Sequence, residues 1–514
     1  MIAWQLASAP RRRRGDEGGY VIVTVAISMV VLLLMAGMTV DVGGWYARAA
    51  QIQRGADAAS LAGVVYMPDL GAATTAALAT ATKDGFVNGQ NSISVTVNGI
   101  TGNPHQLQVT ITDANVPRYF SSIIFSNKTI SKTATAEYDP AVPLGSPKNS
   151  FGTGNLLPSP NTENIWAAVS GWCSGRENGD LLLPGYDQAW SNPGSTNGNW
   201  NCPGAASNPS YDSDGYYYAV DVPAAAAGTT LHINLYDPAY DCGTPDSDLQ
   251  GSCTSNVTTT FKVLGPDSTT FDLGDNPVLQ TTTFASGSTT YKDGWDSFWS
   301  GTASAGTYYV QVYTKAGEAN SAASNGFSLR SYTGGSFSSC STIRSASNYS
   351  ATCPDVHAVD DMSIFANQSG STAVFYLASL DPAYAGKTMN VMLFDPGEGA
   401  QSIQILDPNG NPVSFTWTTP CGNGIANATG GCSGSGSTLD VSGSNTQQPY
   451  SNTHPGGRFN DRVVTLQVAL PSNYAALYPN STWWQVKYTT TDTSVTDRTT
   501  WGVTVNANPI HLVT

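Results

Sequence analysis

The feature that most constrains this chain is an uncharged, apolar run from Tyr20 to Val40. About 20 apolar residues, rising 1.5 Å each in a helix, cross a hydrocarbon core of roughly 30 Å. Arg11–Arg14 precede the run and Asp41 follows it. Because positive charge stays on the cytoplasmic side, the pattern predicts a cytoplasmic basic tail over 1–19 and a single transmembrane helix over 20–40. Everything after Asp41 is then extracytoplasmic, as expected for a protein of the bacterial cell membrane.

A cleaved signal peptide is the competing interpretation of the same run. Its apolar core would span roughly 7–15 residues and end in a small-x-small cleavage site. The run here is longer, and the nearest such site, Ala47-Arg48-Ala49, lies well beyond it. The length therefore favours a retained membrane anchor.

The composition predicts an acidic, folded exterior that is mainly β. Charged residues make up only 11% of the chain, hydrophobic residues 40% and aromatic residues 10%. Aromatic side chains fit pleated sheets, while abundant Gly and Asn accept turn geometry. A disordered Ser/Thr-rich stalk is the alternative, but this apolar content is enough to form a core. The net charge of −15 repels phosphate backbones, so nucleic acid is not expected as a partner.

Eight cysteines lie in the second two-thirds of the chain, in Gly-rich loops. An even number without CxxC pairs indicates disulfides formed in an oxidising compartment. Zinc is the rival interpretation, but no two cysteines have the two-to-four-residue spacing that is typical of structural zinc sites. We expect four bridges between sequence neighbours, drawn from Cys173, Cys202, Cys242, Cys253, Cys340, Cys353, Cys421 and Cys432.

The segment 41–139 predicts a helix that ends before Pro68, a second helix over 72–87, and a small α+β region with three later strands. Its motifs are the arginine run, Gly18-Gly19, the apolar helix, Asp41-Val42-Gly43, Tyr46, Gln51, Gln53 and Ala56–Gly63, followed by VPRYFSSII and KTATAEY. With these features, residues 11–140 resemble the N-terminal region of the TadE/TadG-like family of Flp-pilus assembly proteins. The resemblance implies a membrane-tethered, outward-facing component of a surface pilus or adhesion apparatus.

Gln53 and Asp57 are one helical turn apart in this region. One interpretation is an exposed polar face on an Ala-rich helix, which needs no special function. The other, which the resemblance supports, is a polar contact that sets the register of a partner helix. On the second interpretation, Asp41, Gln53, Asp57 and Gly63 form a helix-partner contact.

After a Pro/Gly-rich linker over 140–151, two passages share one order of strands. Tyr216–Pro223 and Thr230–Pro238 correspond to Val374–Pro382 and Thr388–Pro396, and similar hairpins and aromatic strands follow each pair. The repetition predicts two tandem β-sandwich domains, at 152–333 and 334–514. The strand GTYYVQVYT is also similar to the closing strand of bacterial pre-peptidase C-terminal β-sandwich modules.

We find no motif for catalysis, a cofactor or a metal. The five histidines form no HExxH or HxH pattern, and no nucleophile elbow, P-loop or dinucleotide fingerprint occurs. Calcium is considered at Asp212-Ser213-Asp214-Gly215 and Asp360-Asp361, but Asp-Gly before a strand is commonly only a turn. Trp172, Trp295 and Trp299 are candidate ligand-contact aromatics for a surface glycan, although burial in the core is their ordinary role.

The sequence therefore predicts a non-enzymatic surface protein that acts by assembly and contact with other pilus or pilus-assembly proteins. A carbohydrate- or calcium-binding β-sandwich module is the alternative function, and a secreted hydrolase is the least favoured.

Overall fold

The computed structural model describes residues 18–101, 103–121, 128–152, 164–187, 206–241, 248, 255–267, 269, 272–288, 294–340, 351–368, 371–397, 400–420, 432–442, 458–490, 495–505 and 510–513. The chain divides into two compact units. Unit 1 comprises Met1–Tyr138 and Ile510–Thr514, and unit 2 comprises Asp139–Pro509.

The described residues form three α-helices and 26 β-strands, numbered in chain order. The helices are α1 (Gly18–Val64), α2 (Leu70–Lys83) and α3 (Tyr474–Leu477). The first thirteen strands are β1 (Ile93–Ile100), β2 (Asn103–Asp113), β3 (Ile130–Tyr138), β4 (Ser150–Phe151), β5 (Asn164–Ser170), β6 (Tyr186–Asp187), β7 (Ala206–Ser207), β8 (Tyr216–Val222), β9 (Thr230–Tyr236), β10 (Thr259–Leu264), β11 (Val278–Phe284), β12 (Trp295–Thr302) and β13 (Gly306–Thr314). The others are β14 (Ser324–Thr333), β15 (Asp355–Val359), β16 (Asp361–Gln368), β17 (Thr372–Ser379), β18 (Thr388–Phe394), β19 (Ser402–Leu406), β20 (Phe415–Thr418), β21 (Ser433–Gly436), β22 (Leu439–Asp440), β23 (Val463–Ala469), β24 (Trp483–Thr489), β25 (Val495–Val505) and β26 (Ile510–Val513).

Helix α1 is 47 residues long and runs without a break from the apolar segment into unit 1. Its second half is rich in Ala, Gln, Arg and Leu, which favour helix. It ends shortly before Pro68, which cannot continue a helix. Asp69 then caps α2, because its carboxylate accepts hydrogen bonds from the N–H groups of Gly71 (2.9 Å) and Ala72 (3.1 Å).

Unit 1 packs α1 and α2 on one face of an antiparallel sheet with the order β1-β2-β3-β26. The alternate residues Leu107, Val109 and Ile111 of β2 are fully buried in this core. The opposite face is polar, with Thr110 hydrogen-bonded across the strands to Thr133 at 2.8 Å. The sheet thus has one buried and one solvated face, which is the usual pattern of an antiparallel sheet.

Unit 2 consists of antiparallel sheets. A wide sheet has the strand order β12-β9-β14-β5-β16-β25-β18-β23-β20-β21, with β4 paired to β14. Two narrower sheets have the orders β11-β10-β13-β8-β15 and β17-β24-β19-β22, and β6 pairs with β7. One continuous hydrophobic core includes residues from the wide sheet and from both narrower sheets. The chain is therefore mainly β with a long apolar N-terminal helix, which confirms the predicted fold class.

The two passages that repeat in the sequence also have matching strand orders. The order β10-β13-β8 corresponds to β19-β24-β17, and the neighbours β9-β14 correspond to β18-β25. Asp237 and Asp395, which follow β9 and β18, share positive φ angles of 51° and 54°. An internal duplication accounts for these shared features, and it stays a prediction.

The two predicted sandwiches are joined by hydrogen bonds between strands. In the wide sheet β5 pairs with β16, and in a narrower sheet β8 pairs with β15, so strands from both sides of residue 334 share sheets. The segment predicted as a linker contributes three buried side chains to the core, those of Val142, Leu144 and Phe151. The last strand, β26, lies in unit 1 rather than with the second half.

Candidate functional site

The first half of α1 is an uncovered apolar surface. From Tyr20 to Val40, large side chains such as Val21, Leu32 and Met35 are exposed, and Gly37 is the buried residue of this stretch. Leaving about 20 apolar residues in water is strongly unfavourable, because each buried Å² of apolar surface is worth about 25 cal/mol. The helix is long and apolar enough to cross a membrane.

Asp41 anchors a loop at the end of this apolar stretch. Its carboxylate accepts hydrogen bonds from the backbone N–H groups of Tyr119 (2.9 Å), Phe120 (2.9 Å) and Ser121 (2.6 Å). The Asp41 side chain is only 2% exposed. Three N–H donors favour the ionised carboxylate, so Asp41 holds the segment 117–121, which we call the docked loop.

Gly37 allows the docked loop to approach the helix closely. A Cβ atom at Gly37 would lie 2.5 Å from Cγ of Phe120, so no larger residue fits without movement. Trp45 adds a hydrogen bond from its indole N–H to the carbonyl of Pro117, at 3.3 Å. Sequence reasoning did not identify Tyr119 and Phe120 as site residues. The available signal was the motif VPRYFSSII, which contains both residues and belongs to the family resemblance.

Gln53 and Asp57 contact each other on α1 as the one-turn spacing indicates. The Gln53 amide donates to Asp57 at 2.8 Å and to the carbonyl of Thr133 on β3 at 3.4 Å. The Gln53 side chain is therefore directed at the sheet of its own unit. Contact with a helix of another protein stays a prediction for this pair.

Gly63 lies where α1 meets α2. A Cβ atom at Gly63 would lie 2.6 Å from Cδ2 of Leu107 and 2.8 Å from the carbonyl oxygen of Ala73. The Ala-rich face of α1, including Ala56 and Ala59, is likewise buried in the core of unit 1. Small residues here permit close packing within the chain, because helix backbones approach closely only where side chains are short.

A different side of α1 is open. Gly43, Ala47 and Ala50 follow one another at helical spacing and are all exposed, and no atom lies within 4 Å of a Cβ built on Gly43. Tyr46 beside them is 76% exposed. In the described part of unit 1, this side of α1 remains accessible to another molecule.

The described residues include four disulfide-bonded cysteines. Cys340 and Cys353 are bonded to each other, and Cys173 and Cys432 are also disulfide-bonded. Cys202, Cys242, Cys253 and Cys421 lie outside the described residues. The connectivity of the remaining cysteines stays a prediction.

The three candidate tryptophans have different neighbours in unit 2. Trp172 packs edge-on against Tyr211, with ring centroids 5.3 Å apart. The guanidinium of Arg330 lies 4.0 Å from the ring centroid of Trp295. Such contacts stabilise the fold, and the structure does not bring these two rings together in one binding surface.

Trp299 borders a surface pocket of about 410 Å³. The ring of Tyr308 lies 5.7 Å from that of Trp299 and forms another part of the wall. The lining consists of Gly265, Pro266, Asp267, Pro277, Leu279, Trp299, Thr302, Ser304, Ala305 and Tyr308. Aromatic rings beside hydroxyl and carboxylate groups are a setting in which sugars bind.

The loops considered for calcium have local roles in the structure. The carboxylate of Asp212 accepts a hydrogen bond from the N–H of Asp214 at 2.9 Å, as in an Asp turn. Burial and the neighbouring carboxylate of Asp360 raise the pKa of Asp361 to about 7. Among the residues that the structure describes, no three His, Cys, Asp or Glu side chains come together as a metal site.

His357 has a close acidic partner. Its Nε2 lies 2.9 Å from Oδ2 of Asp221, whose other oxygen accepts a hydrogen bond from Thr307 at 2.7 Å. Burial opposes the charge on His357, but Asp221 outweighs it and raises the pKa of the imidazole. Because the hydroxyl bonds the carboxylate and not the imidazole, the trio lacks the order of a nucleophile–base–acid triad.

Comparison with known proteins identifies the N-terminal region. Residues 19–82 match the family model described as "Putative Flp pilus-assembly TadE/G-like". The match confirms the predicted resemblance and associates this part of the chain with Flp pilus assembly. None of the curated proteins compared with the chain matches it.

Three solved structures show low similarity to the chain. The crystal structure of tripeptidyl peptidase 2 is 8% identical, with a TM-score of 0.18, over 82% of this chain and 36% of its own length. The CUB1-EGF-CUB2 domains of human MASP-1/3 are 13% identical, with a TM-score of 0.13, over 54% of this chain and 94% of theirs. The CBM22-1-CBM22-2 tandem of Paenibacillus barcinonensis Xyn10C is 10% identical, with a TM-score of 0.14, over 54% and 78%. TM-scores this low do not establish a shared fold.

Proposed function

We propose that this chain is a membrane-anchored, extracytoplasmic component of a Flp-type pilus or surface adhesion apparatus, and that it acts by assembly rather than catalysis. The observation that carries the proposal is the division of α1 into two halves. Its first half is apolar and exposed, while its second half packs in the core of unit 1. The family match covers both halves.

Charge and disulfide chemistry support the proposed orientation. Arg11–Arg14 precede the apolar half of α1, and positive charge is retained on the cytoplasmic side. The Cys340–Cys353 disulfide comes after the helix in the chain. Disulfides persist in oxidising compartments, so it supports placing unit 2 outside the cytoplasm.

The open side of α1 is our candidate for contact with other pilus-assembly proteins. Gln53 and Gly63 are engaged within unit 1, whereas Gly43, Ala47 and Ala50 are exposed. Small side chains allow a second helix to approach, and Tyr46 offers an aromatic anchor beside them. Contact of Asp41, Gln53, Asp57 and Gly63 with a partner helix stays a prediction.

Topology is tested by adding protease to spheroplasts that carry the full chain with a tag at either end. We expect the C-terminal tag to be lost and the N-terminal tag to survive until the membrane is opened. A cytoplasmic protein that stays uncut serves as the control for membrane integrity. Survival of the C-terminal tag in sealed spheroplasts would contradict the orientation.

The assembly role is tested with Ala47→Trp, which fills the open side of α1. We expect this variant to fold but to lose co-purification with other pilus-assembly proteins. Ala79→Trp, at an exposed position of α2, is the matched control and should keep it. Equal recovery of partners by both variants would exclude this side as the contact.

Surface glycan binding is the second candidate function, and the Trp299 pocket is the observation that favours it. We expect the full chain to bind on a glycan array and Trp299→Ala to lose that binding while remaining folded. Trp483→Ala, at a half-buried ring beside Tyr376, is the control. Absence of binding by the unaltered chain to every glycan would end this alternative.

A further inference from the structure

The docked loop holds two aromatic side chains at the end of the apolar stretch. Phe120 packs on Gly37, which lies inside the stretch, and Asp41 immediately follows it. Because α1 is continuous, a residue's height above the membrane is set by the helical rise of about 1.5 Å. The docked loop therefore lies within about one helical turn of the end of the apolar run.

These aromatics are held in place and yet remain uncovered. Tyr119 is 73% exposed and Phe120 is 49% exposed, although their backbone N–H groups are both bonded to Asp41. The fold fixes the backbone of the docked loop and leaves about half of Phe120 and most of Tyr119 exposed.

The apolar surface of α1 continues to the same level. Met38 and Val42 follow at helical spacing and are 41% and 38% exposed, and Tyr46 lies one further turn along. Rings of Tyr and other aromatics collect at the boundary between lipid tails and headgroups, because one part is apolar and another polar.

From this geometry we infer that the docked loop is a second membrane contact, in which Tyr119 and Phe120 enter the lipid interface of the leaflet facing away from the cytoplasm. The inference rests on the proposed anchor. The docked loop contacts the bilayer in this proposal, because the surface of the loop is continuous with the apolar helix that the bilayer would surround. The contact would fix the height and tilt of unit 1, since a single helix leaves rotation about its axis free.

The test is photocrosslinking of the full chain in vesicles of phosphatidylethanolamine and phosphatidylglycerol. A benzoylphenylalanine replaces Tyr119 in one variant, Leu33 in the middle of the span in a second, and Leu70 in a third. Leu70 is 43% exposed and begins α2, beyond Val64, which lies about 36 Å past the end of the apolar run. Lipid adducts are counted by mass spectrometry.

We expect lipid adducts at Leu33 and Tyr119 and none at Leu70. Adducts at Leu33 without adducts at Tyr119, or protein adducts alone at Tyr119, would overturn the inference and leave the anchor intact. Equal labelling of Tyr119 and Leu70 would overturn it too, because unit 1 would then have no defined height. If Leu33 also gives no lipid adduct, the anchor itself is wrong and the inference fails with it.

Discussion

The hydroxyl of Tyr216 donates a 2.7 Å hydrogen bond to the buried carboxylate of Asp180. The same carboxylate accepts a bond from the N–H of Ser170 at 2.7 Å. Thr500, from the second half of unit 2, lies 3.4 Å from the Tyr216 hydroxyl and donates to the carbonyl of Gly179 at 2.8 Å. These polar contacts join the two halves of unit 2 where side chains are fully buried.

Tyr216→Phe should destabilise unit 2, because Asp180 would stay buried with one donor fewer. Burial already raises the pKa of Asp180, and the Tyr216 hydroxyl offsets part of that effect. The loss of one partner of a buried polar group costs about 1–3 kcal/mol, which should appear as a lower melting temperature. Tyr376→Phe, at a half-buried ring, is the control and should change little. An unchanged melting temperature in Tyr216→Phe would show that the bond contributes nothing net.

Asp41→Asn should release the docked loop without unfolding unit 1. Asparagine keeps the shape of the side chain but lacks its charge. Its amide nitrogen cannot accept hydrogen bonds from the N–H groups of Tyr119, Phe120 and Ser121. We expect faster hydrogen exchange in peptides that cover these residues, measured on the full chain in detergent. Exchange in the β2 core strand should stay slow. Asp84→Asn, at an exposed position after α2, is the matched control, and equal exchange in both variants would contradict the role of Asp41.

The helices and many strands follow from local patterns, and for that reason the sequence predicts them well. The apolar run and the Ala-rich continuation of α1 predict a helix. The alternating residues of β2 predict a strand. The matching strands β9 and β18 also stand out, because each is followed directly by Asp-Pro.

The sequence does not predict contacts between distant segments of the chain. Asp41 and the docked loop are separated by about 80 residues in the chain. Strand β26 pairs with β3, although more than half of the chain lies between them. The segment 140–151 has the composition of a linker, but Leu144 forms bridges to Ala358 and Ala378 and is fully buried. In each case tertiary packing determines the structure, and the local sequence pattern does not predict it.

The folded stability of unit 2 should depend on pH through Asp361. Burial and the adjacent Asp360 raise its pKa from 3.8 to about 7. A carboxyl whose pKa is higher in the folded state stabilises the fold at low pH, and this contribution is lost as pH rises from about 4 to about 7. At 1.36 kcal/mol per pKa unit, the free energy of unfolding falls by at most about 4 kcal/mol over this pH range.

Asp361→Asn removes this titration, so its melting temperature should fall less than that of the unaltered chain between pH 4 and 7. Asp272→Asn, at an exposed position in a turn, is the control and should retain the pH dependence of the unaltered chain. Parallel profiles for Asp361→Asn and the unaltered chain would show that Asp361 titrates as an ordinary exposed carboxyl.

The Cys340–Cys353 disulfide leads to one prediction about the stability of unit 2 and one about its cellular location. The bond closes a loop with a sequence separation of 13 residues, and on the chain-entropy view such a bridge contributes about 3 kcal/mol. Replacing both cysteines by serine should therefore lower the melting temperature of the full chain. The same bond must form where thiols oxidise. Alkylating free thiols in intact cells before lysis should leave Cys340 and Cys353 unlabelled until reductant is added. Labelling of both without reductant would place unit 2 in a reducing compartment and contradict the proposed topology.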